Sequence, residues 1–150
     1  MSIKRFFRAF VGVKKSRSRA LSSPQGECYN LKEIYDRLNA HYFEGKLDLA
    51  ITWVGDKSSM PRRRVMFGSY NQRDKRIHIH RRLDQAHIPE HFISYVIYHE
   101  MLHHVLPPLK SRRHTRRIHH PAFIQREKEF QEYDLAKTYS QSMRSSWFSK

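Results

Sequence analysis

The sequence contains one cysteine, Cys28, among its 150 residues. A single thiol excludes an internal disulfide and any zinc ribbon built from four cysteines. No apolar run approaches the roughly 20 residues of a membrane-spanning helix. The first 26 residues also lack the long apolar centre and the small-residue cleavage site of a secretory signal. These absences favour a globular protein without a transmembrane segment, and we expect it in the cytoplasm, where thiols stay reduced.

Acidic residues are also scarce. The chain has 14 Asp and Glu against 29 Lys and Arg, which gives a formal net charge of +15. An excess of this size implies a polyanionic neighbour such as DNA, RNA or anionic lipid, although a merely soluble basic protein is the alternative. We predict DNA binding, and an association with the nucleoid would follow from it. The candidate binding residues are Arg62, Arg63, Arg64, Arg112, Arg113, Arg116 and Arg117.

The N-terminal stretch, residues 1–26, carries seven Lys or Arg and no acid, and its first apolar residues fall at helical spacing. Three interpretations stay open: an arm that lies on nucleic acid, a helix on a membrane surface, and an organellar presequence over residues 1–20. We favour a flexible basic arm. One folded domain then covers residues 27–139, and residues 140–150 form a polar tail.

Apolar periodicity predicts six elements in the order α-β-β-β-α-α. Asn30 and Glu33 form a capping box for the first helix, which ends at Gly45. Pro89 stands in the first turn of the second helix, and Pro107 follows its end. The remaining elements are strands Leu49 to Val54, Val65 to Tyr70 and Arg76 to His80, the last two as an antiparallel hairpin, and a final helix from Pro121 to Tyr139. This is an α+β layout, in which a small three-stranded sheet, antiparallel or mixed, packs against three helices.

The stretch His99-Glu100-Met101-Leu102-His103 carries the clearest chemistry. Two histidines four residues apart on a helix lie on one face, so both imidazoles can close on one ion at roughly 2.0–2.1 Å, the zinc–nitrogen distance. Glu100 lies beside the pair, where it can take a proton from metal-bound water. This is the HExxH pattern of metalloproteases, and it requires an uninterrupted helix. The alternative is two surface histidines on a basic protein.

A catalytic zinc site normally has three protein ligands and an open position for water, so a third ligand must come from elsewhere. Three downstream histidines are candidates: His114, His119 and His120. His114 lies in a basic loop, where a ligand is held less rigidly. His119 and His120 directly precede Pro121, the expected start of the last helix. The residues by themselves do not separate these two.

Several segments in one order resemble the SprT-like zinc metallopeptidases over about residues 30–139. They are Leu38-Asn39-x-x-Tyr42-Phe43-x-Gly45-x-Leu47, Trp53, Phe67-Gly68-Ser69-Tyr70, Ile77-His78-Ile79-His80, the HExxH helix and His119-His120-Pro121-Ala122-Phe123. The last segment is similar to the family's HGPxF, with His120 in place of its glycine. Such a set of motifs is far more specific than HExxH alone.

The resemblance implies a zincin-like fold and a metallopeptidase with one zinc ion per chain. It implies His99, His103 and His119 as the ligands and Glu100 as the general base on zinc-bound water. The substrate is then a protein or peptide, and the net charge suggests a protein associated with DNA. We expect a monomer. The alternative from another class is a nucleic-acid-binding module whose zinc site is structural or inactive, with a fourth protein ligand.

Three aromatic residues near these motifs have two interpretations each. Tyr70 and Tyr98 could donate a hydrogen bond to the oxyanion formed in peptide hydrolysis, and Trp53 could stack on unpaired bases. Core packing is the commoner role of such rings, and we favour it. His78 and His80 share one strand face, where they either bind metal or face solvent.

Overall fold

The computed structural model describes residues 23–58, 66–110 and 116–148. The predicted N-terminal arm lies outside these residues up to position 22. Also outside them lie the site candidates Arg62, Arg63, Arg64, Arg112, Arg113 and His114. No helix within the described ranges is both long and apolar enough to cross a membrane.

Within these ranges the chain forms four α-helices, five short strands and one 3-10 helix. The helices are α1 (Leu31–Phe43), α2 (Glu90–Val105), α3 (Pro121–Glu127) and α4 (Tyr133–Phe148), and the 3-10 helix is Arg81–Leu83. The strands are β1 (Ala50–Val54), β2 (Gly68–Asn71), β3 (Arg76–His80), β4 (Leu109–Lys110) and β5 (Arg116–Arg117). The predicted α+β class is therefore confirmed, with a small mixed sheet and helices packed against it.

The three-stranded sheet has β3 at its centre. β1 pairs with β3 in parallel and β2 pairs with it antiparallel, so the order is β1-β3-β2 and the predicted hairpin is confirmed. Along β3, Ile77 and Ile79 are fully buried, while His78 and His80 are half-buried. This is the alternation of a strand with one face on the core. Among the described strands, β2 keeps one edge unpaired.

Helix α2 is the element around which the others pack. Its residues Phe92, Ile93, Ile97, Tyr98 and Met101 are all fully buried, because β2 and β3 lie against the helix on one side and α1, α3 and α4 on the others. A helix that is apolar on nearly all sides is expected to be enclosed in this way. The HExxH residues therefore lie on the most central helix of the fold.

The predicted final helix, Pro121 to Tyr139, is wrong, because two helices cover this region. Between them Phe130 is buried and its ring packs on Tyr95. The break directs Phe130 into the core and lets α4 pack against α2. α4 then continues to Phe148, with Met143 buried against the core, so much of the stretch predicted as a polar tail is helical. Neither glycine nor proline marks the break in the sequence.

A buried carboxylate, that of Asp84, joins the segment before α1 to the 3-10 helix that follows β3. It is fully buried and accepts the backbone N–H groups of Glu27 at 2.7 Å, Cys28 at 2.9 Å and Tyr29 at 3.1 Å. Gly26 is required beside it, because a Cβ there would lie 2.5 Å from Asp84 Oδ2. The three donors replace the water that the buried carboxylate gives up.

Replacing Asp84 with Ala should lower the free energy of unfolding by about 3 kcal/mol or more, because three N–H groups lose their acceptor. Urea unfolding followed by circular dichroism measures this loss. Asp36→Ala is the matched control, since the Asp36 carboxylate is exposed and pairs with the exposed Lys32. Its loss should stay within about 1 kcal/mol. Equal losses at the two positions would show that Asp84 does not hold the segment in place.

Candidate metal centre

Three histidine rings converge where α2 meets the start of α3. His99 and His103 lie one turn apart on α2, and His119 stands shortly before α3 begins. The Nε2 atoms of His99 and His103 are 3.1 Å apart, and those of His103 and His119 are 3.3 Å apart. One ring nitrogen of each residue lies within 4.8 Å of the other two. The structure thus brings together the three histidines that the resemblance implies as ligands, which we call the histidine triad.

The donor set of the triad fits a metal ion. Burial, reinforced by His99 and His119, lowers the pKa of His103 to about 4, and burial also lowers the pKa of His119. Both rings are therefore neutral near pH 7 and carry lone pairs. His103 Nε2 has two neighbouring ring nitrogens, those of His99 and His119. A hydrogen bond from His103 Nε2 to one of them would leave the other without a partner. A cation between the rings instead accepts a lone pair from each of the three nitrogens. Three neutral imidazoles with one position left over suit Zn²⁺.

A carboxylate that the sequence analysis missed, that of Glu127, orients the first of these rings. Glu127 Oε1 lies 2.6 Å from His99 Nδ1 and accepts a hydrogen bond of 2.6 Å from the Tyr95 hydroxyl. Burial raises the pKa of Glu127, but the hydrogen bonds from His99 and Tyr95 outweigh burial, and the net pKa is lowered. An ionised Glu127 keeps the hydrogen of His99 on Nδ1. His99 Nε2 is therefore left free to face the triad.

The spacing of α3 contains a signal for this contact. His119, Phe123 and Glu127 follow one another at intervals of four residues. Phe123 and Glu127 therefore lie on one face of α3, and this is the face next to the triad. Phe123 is fully buried, and its ring centroid lies 5.1 Å from that of His99 and 4.8 Å from that of His103. Reading this stripe as a face directed at the HExxH helix would have identified Glu127.

Glu100 lies beside the triad under strand β2. It is 6% exposed, and burial raises its pKa to about 7, opposed by the interaction with His99. A cation at the triad would oppose this rise further, since positive charge favours the carboxylate. Gly68 of β2 allows the close approach, because a Cβ at Gly68 would lie 3.2 Å from Glu100 Oε1 and 3.0 Å from Val96.

The triad opens into a cleft on both of its sides. A cavity of about 500 Å³ extends toward α4, and an adjoining one of about 390 Å³ extends along β2 toward Ile118. Both are lined by His99, Glu100 and His119. The Glu100 carboxylate and the three imidazoles lie together in an open groove. This arrangement is expected of a reactive site, whereas a structural metal site is closed.

The other sequence candidates lie elsewhere. His120 is buried with its ring centroid 6.5 Å from that of Phe123, and it does not belong to the cluster of ring nitrogens that His99, His103 and His119 form. Within the described residues the cluster able to hold a metal has three members, so no fourth ligand joins it there. His80 Nδ1 accepts the backbone N–H of Arg82, which gives this histidine a capping role. Arg116 and Arg117 form the exposed strand β5.

The three aromatic residues separate by burial. Trp53 and Tyr98 are fully buried, and the Tyr98 hydroxyl donates to the backbone oxygen of Arg126 at 2.8 Å, so both residues pack in the core. Tyr70 is half-buried and lines the β2 side of the cleft. Its hydroxyl lies 2.7 Å from His104 Nδ1.

Comparison with protein-family models identifies a family for this chain. The model of the SprT-like family matches residues 31–143. No curated protein and no solved structure shows significant similarity to the chain. The family match spans most of the chain and includes α2, the triad and Glu127. The protein therefore belongs to the SprT-like family, which is generally linked to zinc metallopeptidase-like proteins.

Proposed function

We propose that this protein is a zinc-dependent metallopeptidase that hydrolyses peptide bonds in the cleft at the triad. The observation that carries the proposal is the convergence of three imidazole nitrogens within 4.8 Å of one another, beside the buried carboxylate of Glu100, in an open groove. Membership of the SprT-like family supports it. One zinc ion per chain is expected, held by His99, His103 and His119.

Each group of the cleft has a role in this reaction. A zinc ion at the triad supplies Lewis acidity, which polarises a peptide carbonyl and acidifies water. Glu100 accepts the proton of the attacking water and returns it to the leaving amine. Glu127 holds His99 in the tautomer that presents Nε2. The unpaired edge of β2 offers backbone groups that can hydrogen-bond an extended peptide.

A nucleic-acid-binding module with a structural zinc site is the second candidate. Structural zinc sites are closed by four protein ligands, whereas catalytic sites keep one position open. The triad has three members among the described residues and lies in a groove that is open on two sides. These features favour the peptidase over the structural site.

The proposed substrate is a protein bound to DNA. The enzyme would act on it as a monomer in the cytoplasm, associated with the nucleoid. Lys110, Arg116 and Arg117 are exposed on the β4–β5 pair, and the chain passes directly from β5 to His119. Phosphate contacts at this hairpin would hold a DNA-bound protein near the cleft. The remaining arginine candidates, all outside the described residues, stay predictions.

His119→Ala should abolish stoichiometric zinc binding, whereas His120→Ala should keep zinc at a cost in stability, because only His119 faces the triad. Glu127→Gln should weaken zinc binding about 10- to 100-fold, since His99 loses its orienting acceptor. Chelator competition measures these affinities. Glu129→Gln is the matched control, because Glu129 is exposed and pairs with Arg126. Zinc loss in His120→Ala with retention in His119→Ala would exchange the two assignments.

Glu100→Gln should keep the fold and one zinc per chain but reduce peptide hydrolysis by at least about 100-fold, because the amide cannot accept the water's proton. Zinc analysis and casein digestion measure the two effects separately. Tyr70→Phe is a comparison in the same cleft that removes only the hydroxyl bonded to His104. Loss of zinc in Glu100→Gln would make Glu100 a ligand, and full activity would contradict its role as base.

DNA affinity should fall linearly with salt on logarithmic axes, with a slope of about −0.9 per duplex phosphate neutralised. Arg116→Gln with Arg117→Gln should reduce the magnitude of that slope by about 1.8 and leave zinc in place. Gel shifts over a range of salt concentrations measure it. Arg73→Gln with Lys128→Gln removes the same charge from exposed positions away from the cleft. Salt-insensitive binding, or an equal change in both double variants, would contradict a DNA contact at β5.

A further inference from the structure

One wall of the cleft carries two cations on a single face of α4. Lys137, Ser140 and Arg144 line the 500 Å³ cavity and are three and four residues apart in turn, which places them along one helical stripe. The Lys137 Nζ lies 5.9 Å from the ring centroid of Tyr95 and 5.6 Å from that of Tyr133. This part of the cleft is therefore positively charged, and aromatic rings hold its cations in place.

These cations have no salt-bridged carboxylate in the described part of the chain, although the charge of Lys137 acts on Glu127. Neither Lys137 nor Arg144 takes part in any ion pair there. Arg144 Nε donates a long hydrogen bond of 3.5 Å to Ser140 Oγ. The guanidinium carbon of Arg144 lies 5.1 Å from the ring centroid of Phe67. Two acids line the same cavity: Glu127, whose carboxylate is buried and bonded to His99 and Tyr95, and Glu100, which is buried beside the triad. The positive charge of the wall is left to meet an anion from outside.

The cationic wall lies one aromatic ring away from the triad. The Tyr95 ring contacts Lys137 on one side and has its centroid 6.2 Å from that of His99 on the other. An extended peptide advances about 3.3–3.6 Å per residue, so a side chain two or three residues from a peptide bond held at the triad reaches Lys137. Arg144 lies about two turns further along α4 and extends the charged wall.

The opposite arm of the cleft carries no such charge. Among the described residues, the 390 Å³ cavity is lined beyond the triad by uncharged side chains such as Tyr70, Gln72, Pro108 and Ile118. The cleft is therefore asymmetric in the side chains that line it, with two cations at α4 and uncharged side chains along β2 as far as Ile118. Of the two cavities, only the one at α4 is lined by Lys or Arg side chains of the described residues.

We infer that the α4 arm of the cleft is a subsite for an acidic residue, so that the protein prefers peptides with Asp or Glu within about three residues of the scissile bond, on one side of it. This inference rests on the proposed peptidase function and names its substrate class. The ligand is a carboxylate on a peptide rather than a nucleic-acid phosphate, because both cations line the groove that also holds Glu100 and the triad, and Lys137 is half-buried there. The β5 arginines, in contrast, line neither cavity of the cleft.

The test uses internally quenched peptides in which a single Glu is moved from three residues before the scissile bond to three residues after it, with a Gln series and a Lys series as references. The wild-type protein should cleave Glu peptides with a kcat/KM about three- to tenfold above their Gln counterparts, on one side only. Lys137→Glu with Arg144→Glu should remove this preference and favour the Lys peptides instead. The readout is the ratio of Glu-peptide to Gln-peptide kcat/KM within each variant, so that a general change in activity cancels.

Lys128→Glu with Arg73→Glu is the control, because it changes the net charge by the same amount at exposed positions outside the cleft. It should retain the Glu preference, and zinc content and thermal unfolding should match the wild type in both double variants. A Glu preference that is absent, that appears on both sides, or that persists in Lys137→Glu/Arg144→Glu would overturn the subsite.

A binding measurement keeps the subsite separate from the reaction. Fluorescence anisotropy with the Glu100→Gln protein should show tighter binding of the Glu peptide than of the Gln peptide, and Lys137→Glu/Arg144→Glu should remove the difference. This result without any hydrolysis by the wild-type protein would overturn the peptidase function and support the anion subsite. Competition by a single-stranded oligonucleotide that also depends on Lys137 and Arg144, with no Glu preference, would overturn the peptide assignment in favour of nucleic acid.

Discussion

The hydrogen bond between His99 Nδ1 and the buried carboxylate of Glu127 is the contact on which the site depends. At 2.6 Å it joins α2 to α3, and the Tyr95 hydroxyl adds a second bond from α2 to the same oxygen. The pair fixes which nitrogen of His99 faces the triad, and Phe123 packs on His99 and His103 from the same face of α3. Because α3 is held against α2 in this way, His119, which lies two residues before α3 begins, is carried to the other two histidines.

Burial is the second constraint, and it acts on the groups that α2 contributes to the site. α2 is enclosed on nearly all sides, so its polar residues lose water and must either find partners or stay uncharged. His99 is hydrogen-bonded to Glu127, and the lowered pKa of His103 keeps its ring neutral. The Glu100 side chain is buried in close contact with Gly68 of β2. Such groups cost stability in an apolar helix, and sites that break the local pattern in this way are commonly functional.

Local patterns predicted most of the fold because they depend on neighbouring residues. The side chain of Asn30 caps α1. Its Oδ1 accepts the backbone N–H of Lys32, and its Nδ2 donates to the Glu33 carboxylate. β3 has the predicted limits, and Pro107 follows the end of α2. The sequence patterns did not predict the break between α3 and α4. The break accompanies the burial of Phe130 against other helices, and no glycine or proline marks it. The Asp84 contact escaped for the same reason, because its donors lie 55 to 57 residues away.

The sequence by itself determined the HExxH geometry, since two histidines four residues apart share a helical face wherever the helix lies, and its motifs indicated the family. It also determined the excess of positive charge, although not where that charge acts. Only the tertiary structure brought His119, and not His120, to the other two histidines, joined Glu127 to His99 and brought Lys137 and Arg144 to the cleft. The physical reason is distance along the chain: His99 and Glu127 are 28 residues apart, and their contact exists only because α3 and α4 pack against α2.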